Sequence, residues 1–340
     1  MYAAISDLLP VEVIRLLIER GADVNATDQH KKSGDSGLSV LDIARLSGET
    51  AAVKLLEQHG ARGSQKQPLP LKTRRENTIR KAVQDSLPLI QRVDQAFSKG
   101  AGCTSCHNDS MAAMAVGLAR QKGIRVDEDI ASVQVKVNAE ELAASRDRLH
   151  QGYFITAVGD NFTDFILGYE LVGMSAQNYE PDLNTDAAVM MIQSRQAPGG
   201  EWPYPRADYR PPICLNYITQ TTLAMRALQL YGPKTHQEDF RRSVRQAASW
   251  LAKARSANHD DRAWRLTGLA CAKTDSRAVE KALGEVLTNQ HPDGGWSDLP
   301  SLPSTPYATG LSLVALNTAG LTVSHPAYQR GVEYLLKNQL

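Results

Sequence analysis

The stretch Gly102-Cys103-Thr104-Ser105-Cys106-His107 carries the most definite chemistry in the chain. Two thiols three residues apart can each form a thioether to one haem vinyl group, and the adjacent imidazole then falls beneath the iron as its proximal ligand. This is the pattern of c-type haem attachment. With four cysteines and eight histidines in 340 residues, random placement would give such a run about 0.001 times. Half of a structural zinc site and a redox-active dithiol also use Cys-x-x-Cys. Zinc needs four ligands, and Cys214 and Cys271 stand alone and far away, with no close histidine. The leading reading is therefore haem c held by Cys103, Cys106 and His107, with His107 on the metal. Zinc, a dithiol and an inert turn are the alternatives.

The motif falls in a connection between two helical patterns. Before it, Ser86-Leu87-Pro88 reads as a cap with proline in the first turn, and Ile90, Val93 and Phe97 form an apolar stripe stopped by Gly100. After it, Met111, Met114 and Leu118 recur at helical spacing up to Gly123. Met111 and Met114 share a face with His107, so they suit proximal packing. A distal ligand must come from the other side of the ring, which leaves His150 and Met174 as candidates.

Composition sets outer bounds. At 42% hydrophobic and 22% charged residues with a net charge of +1, the chain has the balance of a globular protein and not of a nucleic-acid binder. No run approaches the length of a membrane span. The start, Met1-Tyr2-Ala3-Ala4-Ile5, has no basic region followed by an apolar stretch, so no signal peptide is visible. Covalent haem attachment belongs outside the bacterial cytoplasm. The haem reading therefore predicts a fragment of a periplasmic or otherwise extracytoplasmic protein, and without that loss the location is cytoplasmic.

Residues 11–25 place Val13, Leu16 and Leu17 on one helical face and end in Gly-Ala-Asp-Val-Asn. Ser39-Val40-Leu41-Asp42-Ile43-Ala44 and the closing His59-Gly60-Ala61 form a second such unit. These segments resemble ankyrin repeats, whose period is about 33 residues, with the polar run 30–36 as a longer finger. The resemblance implies a partial ankyrin module over 1–63 that docks a protein partner. Residues 64–85 read as a basic, solvated linker.

From residue 86 onward the pattern is helical, with stretches near 128–149, 161–174, 186–196, 216–231, 238–254, 261–272, 276–290, 305–319 and 326–339. Internal repetition decides the architecture. Gln193 to Trp202 reads QSRQAPGGEW and Gln290 to Trp296 reads QHPDGGW, and each sits between apolar helices. The two tryptophans are separated by two units of about 47 residues, the middle one lacking Gly-Gly-Trp. These segments resemble the QW repeats of the squalene and oxidosqualene cyclase superfamily, over about residues 180–340. The resemblance implies an all-α chain: partial ankyrin repeats, then an incomplete α/α toroid of helical hairpins. Its first hairpin is expected in 86–126 and the remainder in 127–340, with about eleven of a six-hairpin toroid's twelve helices present. It also implies that the motif's Gln and Trp tie helix ends together.

That superfamily's class II cyclases protonate an alkene or epoxide with an aspartic acid in Asp-x-Asp-Asp. The chain has no such run. Asp127-Glu128-Asp129 and Asp260-Asp261 lie at helix entrances, where acidic residues favour the dipole, and Cys271 reads as packing. Trp202, Tyr204 and Tyr209 are candidates either for lining an apolar cavity or for toroid packing. Two functions follow. The first is a haem-bearing electron-transfer protein with a redox partner. The second is a cyclase-related enzyme, or a module binding an isoprenoid or other apolar lipid, that lacks the acid motif.

Overall fold

The computed structural model describes the chain apart from residues 1, 6–9, 28–36, 47, 64–74, 77, 102–107, 153–162, 204–215, 274 and 340. Among the described residues every element is helical, and β pairing is confined to isolated bridges such as Thr27–Ser39 and Trp296–Thr305.

Short helices α1 (Tyr2–Ile5), α2 (Val11–Glu19), α3 (Val40–Arg45) and α4 (Ala51–Gln58) form a small N-terminal core around Ile14, Leu41, Val53 and Leu56. Ser39 starts α3 in a capping box: its hydroxyl takes Asp42 N–H at 3.1 Å, and the Asp42 carboxylate takes Ser39 N–H at 2.9 Å. The bend after α3 presses on the C-terminal half, where a Cβ at Gly48 would collide with the Ser301 carbonyl oxygen.

Eleven α-helices follow among the described residues. They are α5 (Ile79–Ala101), α6 (Asn108–Gln121), α7 (Glu128–His150), α8 (Thr163–Ala176), α9 (Leu183–Ser194), α10 (Tyr217–Tyr231), α11 (Gln237–Lys253), α12 (His259–Cys271), α13 (Ser276–Thr288), α14 (Pro306–Thr318) and α15 (Pro326–Lys337). The even-numbered helices pack in sequence, α6 on α8, α8 on α10, α10 on α12 and α12 on α14, and form an inner layer. The odd-numbered helices pack against them from outside. This is an α/α toroid-like arrangement.

The composition of each layer follows from that placement. Inner helix α10 is buried over most of its surface and α14 over about half of its residues, whereas outer helices α11, α13 and α15 show a buried stripe and a charged face. One core runs through the ring from Leu142 to Leu316.

The first hairpin differs from its expected form. Helix α5 begins at Ile79, and Pro88 sits inside it on an exposed face. Ile90 and Val93 are exposed, while Leu87, Gln91 and Asp94 form the buried face. The burial of Ala82 and Leu87 against neighbouring helices carries the helix back past the Ser86 cap signal. The Phe97 side chain lies outside the described residues.

Candidate functional site

Cys103, Cys106 and His107 lie outside the described residues, as do Cys214, Tyr204 and Tyr209. The flanks of the Cys-x-x-Cys-His loop are described. On the helices that flank it, Asp94 of α5 and Asp109, Ser110, Ala112, Ala113 and Val116 of α6 are buried, as are Gln134 and Asn138 of α7. The Gln134 amide donates to the Asp109 carbonyl. Burial, together with the hydrogen bond and charge of Asp109, pushes the Asp94 carboxyl up to about 8. His150 is exposed at the end of α7, and Met174 is 1% exposed inside the main core, where its thioether serves packing. Cys271 is half-buried at the core margin, and burial pushes its thiol up, as its packing role requires. Among the described residues no three His, Cys, Asp or Glu side chains stand close enough to share a metal.

The repeat motifs resolve into two clasps with matching hydrogen bonds. The Trp296 indole N–H donates to Val286 O at 2.8 Å, and its backbone N–H donates to Thr309 Oγ1 at 3.0 Å. Trp202 does the same with Ile192 O at 2.6 Å and Thr221 Oγ1 at 3.1 Å. Both rings are wholly buried, so Trp202 packs the toroid. Gln290 Nε2 donates to Gly294 O at 2.9 Å and to Ala327 O at 2.8 Å, joining the end of α13 to the start of α15. In the first motif the residue that donates to Gly200 O and Ser243 O, at 2.8 and 2.9 Å, is Gln196. Gln193, the expected glutamine, instead reaches Ser243 Oγ at 3.3 Å. Turn geometry fixes the six-residue spacing from Gln to Trp, which Gln196 satisfies and Gln193 does not.

The densest chemistry lies at the first turn of inner helix α12. Asn258 caps it, taking Asp261 N–H at 2.9 Å. Asp261 accepts from Asn216 Nδ2 at 2.6 Å and from Ala257 N–H at 2.7 Å, so its carboxylate pins the caps of α10 and α12 together. Burial raises its pKa, against the opposing pull of these hydrogen bonds. Asp260 is 1% exposed and accepts the Tyr307 hydroxyl of α14 at 2.8 Å. One turn further along α12, on the same face, Trp264 meets Tyr169 of α8 edge to face at 6.0 Å.

His259 is equally enclosed, stacked on Trp296 with ring centroids 6.4 Å apart. The Ser312 hydroxyl donates to Ala308 O at 2.6 Å, so His259 Nε2, 2.6 Å from Ser312 Oγ, must be the donor in that pair. The imidazole is therefore the neutral Nε2–H tautomer, with Nδ1 a bare acceptor. Burial, with Arg262 and His291 adding repulsion, pushes its pKa down to about 3.

Asp260 and Asp261 thus do far more than complement a dipole. Both are buried on an inner helix and tied to neighbouring helices. The signal that could have found them is Asn258-His259-Asp260-Asp261 itself, which differs from Asp-x-Asp-Asp only in its first residue.

No family model matches the chain. It is similar to a squalene–hopene cyclase of Bradyrhizobium diazoefficiens, with 32% identity over 152 residues. That stretch is 44% of this chain and 17% of the cyclase, so the matched region spans about a sixth of that protein's length. The likeness supports the cyclase-like reading of the repeats above the haem-protein reading.

Proposed function

We propose that the chain is a terpenoid-cyclase-related toroid that binds an isoprenoid-class apolar ligand, with Asp260 as the carboxyl presented to it. The observation that carries this reading is the face of α12 on which Asp260, buried and held by Tyr307, stands one turn from the Trp264–Tyr169 pair. A carboxyl enclosed in this way can hold a proton away from water, and aromatic faces stabilise positive charge that develops on a hydrocarbon. Tyr307 fixes the carboxyl's orientation through Oδ1, so the group is held in one position towards the aromatic pair. Asn258 replaces the carboxylate that opens the Asp-x-Asp-Asp motif, which removes one negative charge beside Asp260.

The test is to equilibrate the protein with squalene in mixed micelles, re-purify it and quantify retained lipid by gas chromatography. Retention near one molecule per chain that falls several-fold in Trp264→Ala supports the reading, and no retention sinks it. A polycyclic product that disappears in Asp260→Asn makes Asp260 a proton donor, while a product that survives this change removes it from that role. Haem attachment at Cys103, Cys106 and His107 stands as a separate proposal resting on the motif alone. Intact mass after co-expression with haem-maturation machinery tests it, and apo-protein as the sole species ends it. The ankyrin-like segment 1–63 is proposed as a protein-docking module on the same footing.

A further inference from the structure

A polar pocket of about 190 Å³ opens between the first turn of α12, the end of α13 and the loop that leads into α14, and His259, Arg262, Asn289, His291, Ser297 and Asp298 are among its lining residues. His259 and Arg262, three residues apart, share this face of α12, while Asp260 and Trp264 share the next. Pockets for drug-sized ligands run from about 300 to 1,000 Å³, so this one suits a small ion and not an isoprenoid chain.

The charges around it follow from hydrogen bonds. Ser297 Oγ donates to Leu299 O at 2.8 Å, and Ser304 Oγ donates to Asp293 Oδ1 at 2.8 Å. Each hydroxyl has a single proton, so both must accept from His291, through its Nε2 at 3.2 Å and its Nδ1 at 3.1 Å. With both ring nitrogens donating, His291 is an imidazolium. Arg262 is half-buried and, among the described residues, makes no hydrogen bond or ion pair. Its charge also acts on Asp261, but the oxygens of that carboxylate are held by Asn216 and Ala257. Asp298, the acid in the lining, accepts the Thr305 hydroxyl at 3.3 Å and is outnumbered by the two cations. Peptide dipoles at the start of α12 add to the positive field.

His259 forms the buried floor of the pocket. Its Nε2–H is spent on Ser312 and its backbone N–H on Asp298 O at 3.2 Å, so Nδ1 is the polar atom of this residue left without a partner. The surroundings call for an anion, and Nδ1 calls for a hydrogen-bond donor. We propose that the pocket binds hydrogen phosphate, its oxygens held by the Arg262 fork and its hydroxyl donating to His259 Nδ1. Inorganic phosphate keeps at least one hydroxyl at neutral pH. Sulfate has none there, and a phosphomonoester loses its last one above about pH 6. The proposal concerns another face of α12 and another ligand than the isoprenoid reading, so either can fail without the other.

The test is calorimetric titration of the full chain with sodium phosphate at pH 7.5 and low salt, with sodium sulfate and methyl phosphate as separate arms. One phosphate per chain is expected, with sulfate and methyl phosphate weaker by about tenfold or more, the worth of the hydrogen bond to Nδ1. Arg262→Gln should lower phosphate affinity by about tenfold or more and keep the wild-type melting temperature in the absence of phosphate, since the guanidinium fastens no other element. His259→Gln keeps a donor to Ser312 but removes Nδ1, so it should bind phosphate and sulfate alike. Arg241→Gln, on α11 away from the pocket, should leave phosphate binding unchanged. The proposal is overturned if phosphate does not bind, if Arg262→Gln binds it as wild type does, or if His259→Gln still prefers it to sulfate. It is also overturned if sulfate or methyl phosphate binds the wild type as tightly as phosphate.

Discussion

Lowering the pH should unfold this protein through His259. The free imidazole titrates at 6.5, and in the folded chain burial, Arg262 and His291 hold it down to about 3. The native state therefore binds fewer protons than the unfolded state between these values, so stability falls as pH drops through that window. With those two pKa values, the loss on going from pH 7 to pH 4.5 is about 2.5 kcal/mol, at about 1.4 kcal/mol per pH unit below 6.5. Asp261, on the same turn of α12, has its own pKa raised by burial, so the wild-type slope does not belong to His259 alone. His259→Gln removes the ambiguity. Its amide Nε2 can still donate to Ser312 Oγ but does not titrate. Urea unfolding followed by circular dichroism at pH 7, 5.5 and 4.5 should show the variant less stable than wild type at pH 7, through lost stacking on Trp296, and the gap closing as pH falls. Parallel curves for the two proteins over this range would refute the assignment of a buried, neutral His259.

Trp296→Ala should lower stability by about 3–5 kcal/mol, the cost of deleting a wholly buried aromatic ring, and Gln290→Ala by about 2 kcal/mol for two lost backbone acceptors, both read from denaturant midpoints. Gly294→Ala should cost at least about 2 kcal/mol, because φ is +90° there and the new Cβ would lie 2.6 Å from the Arg330 carbonyl oxygen; an unchanged melting temperature would contradict that geometry. At Asp94 the sign is opposite to that at His259. Its carboxyl is held protonated up to about 8, so its contribution falls as pH rises from about 4 to 8, and Asp94→Asn should flatten that part of the wild-type curve.

Helix positions were largely legible because Gly, Pro and apolar spacing act locally: the stretch expected near 276–290 is Ser276–Thr288, and that near 216–231 is Tyr217–Tyr231. What sequence could not supply was burial. Asp260 and Asp261 look like ordinary first-turn acids until neighbouring helices close over them, and Ile90 and Val93 look like a core stripe until α5 turns its polar side inward. Gln193 and Gln196 are equally plausible by eye, and only the path of the turn towards Ser243 selects between them. Pro88 misled for a related reason: an exposed proline can be carried within a long helix when residues on both sides of it are anchored by packing.

The clasps are unevenly distributed. Gln196 fastens α9 to α11 and Gln290 fastens α13 to α15, but α11 ends in Lys253-Ala254-Arg255-Ser256, with no glutamine to reach α13. Across that boundary the connection runs through inner helix α12, whose Arg265 pairs with Glu285 of α13 at 2.9 Å. The ring is thus two latched arcs meeting at an unlatched seam, and the seam adjoins the helix that carries Asp260 and Trp264. Each arc keeps its own tryptophan anchor and its own glutamine clasp, so loss of one clasp leaves the other arc fastened.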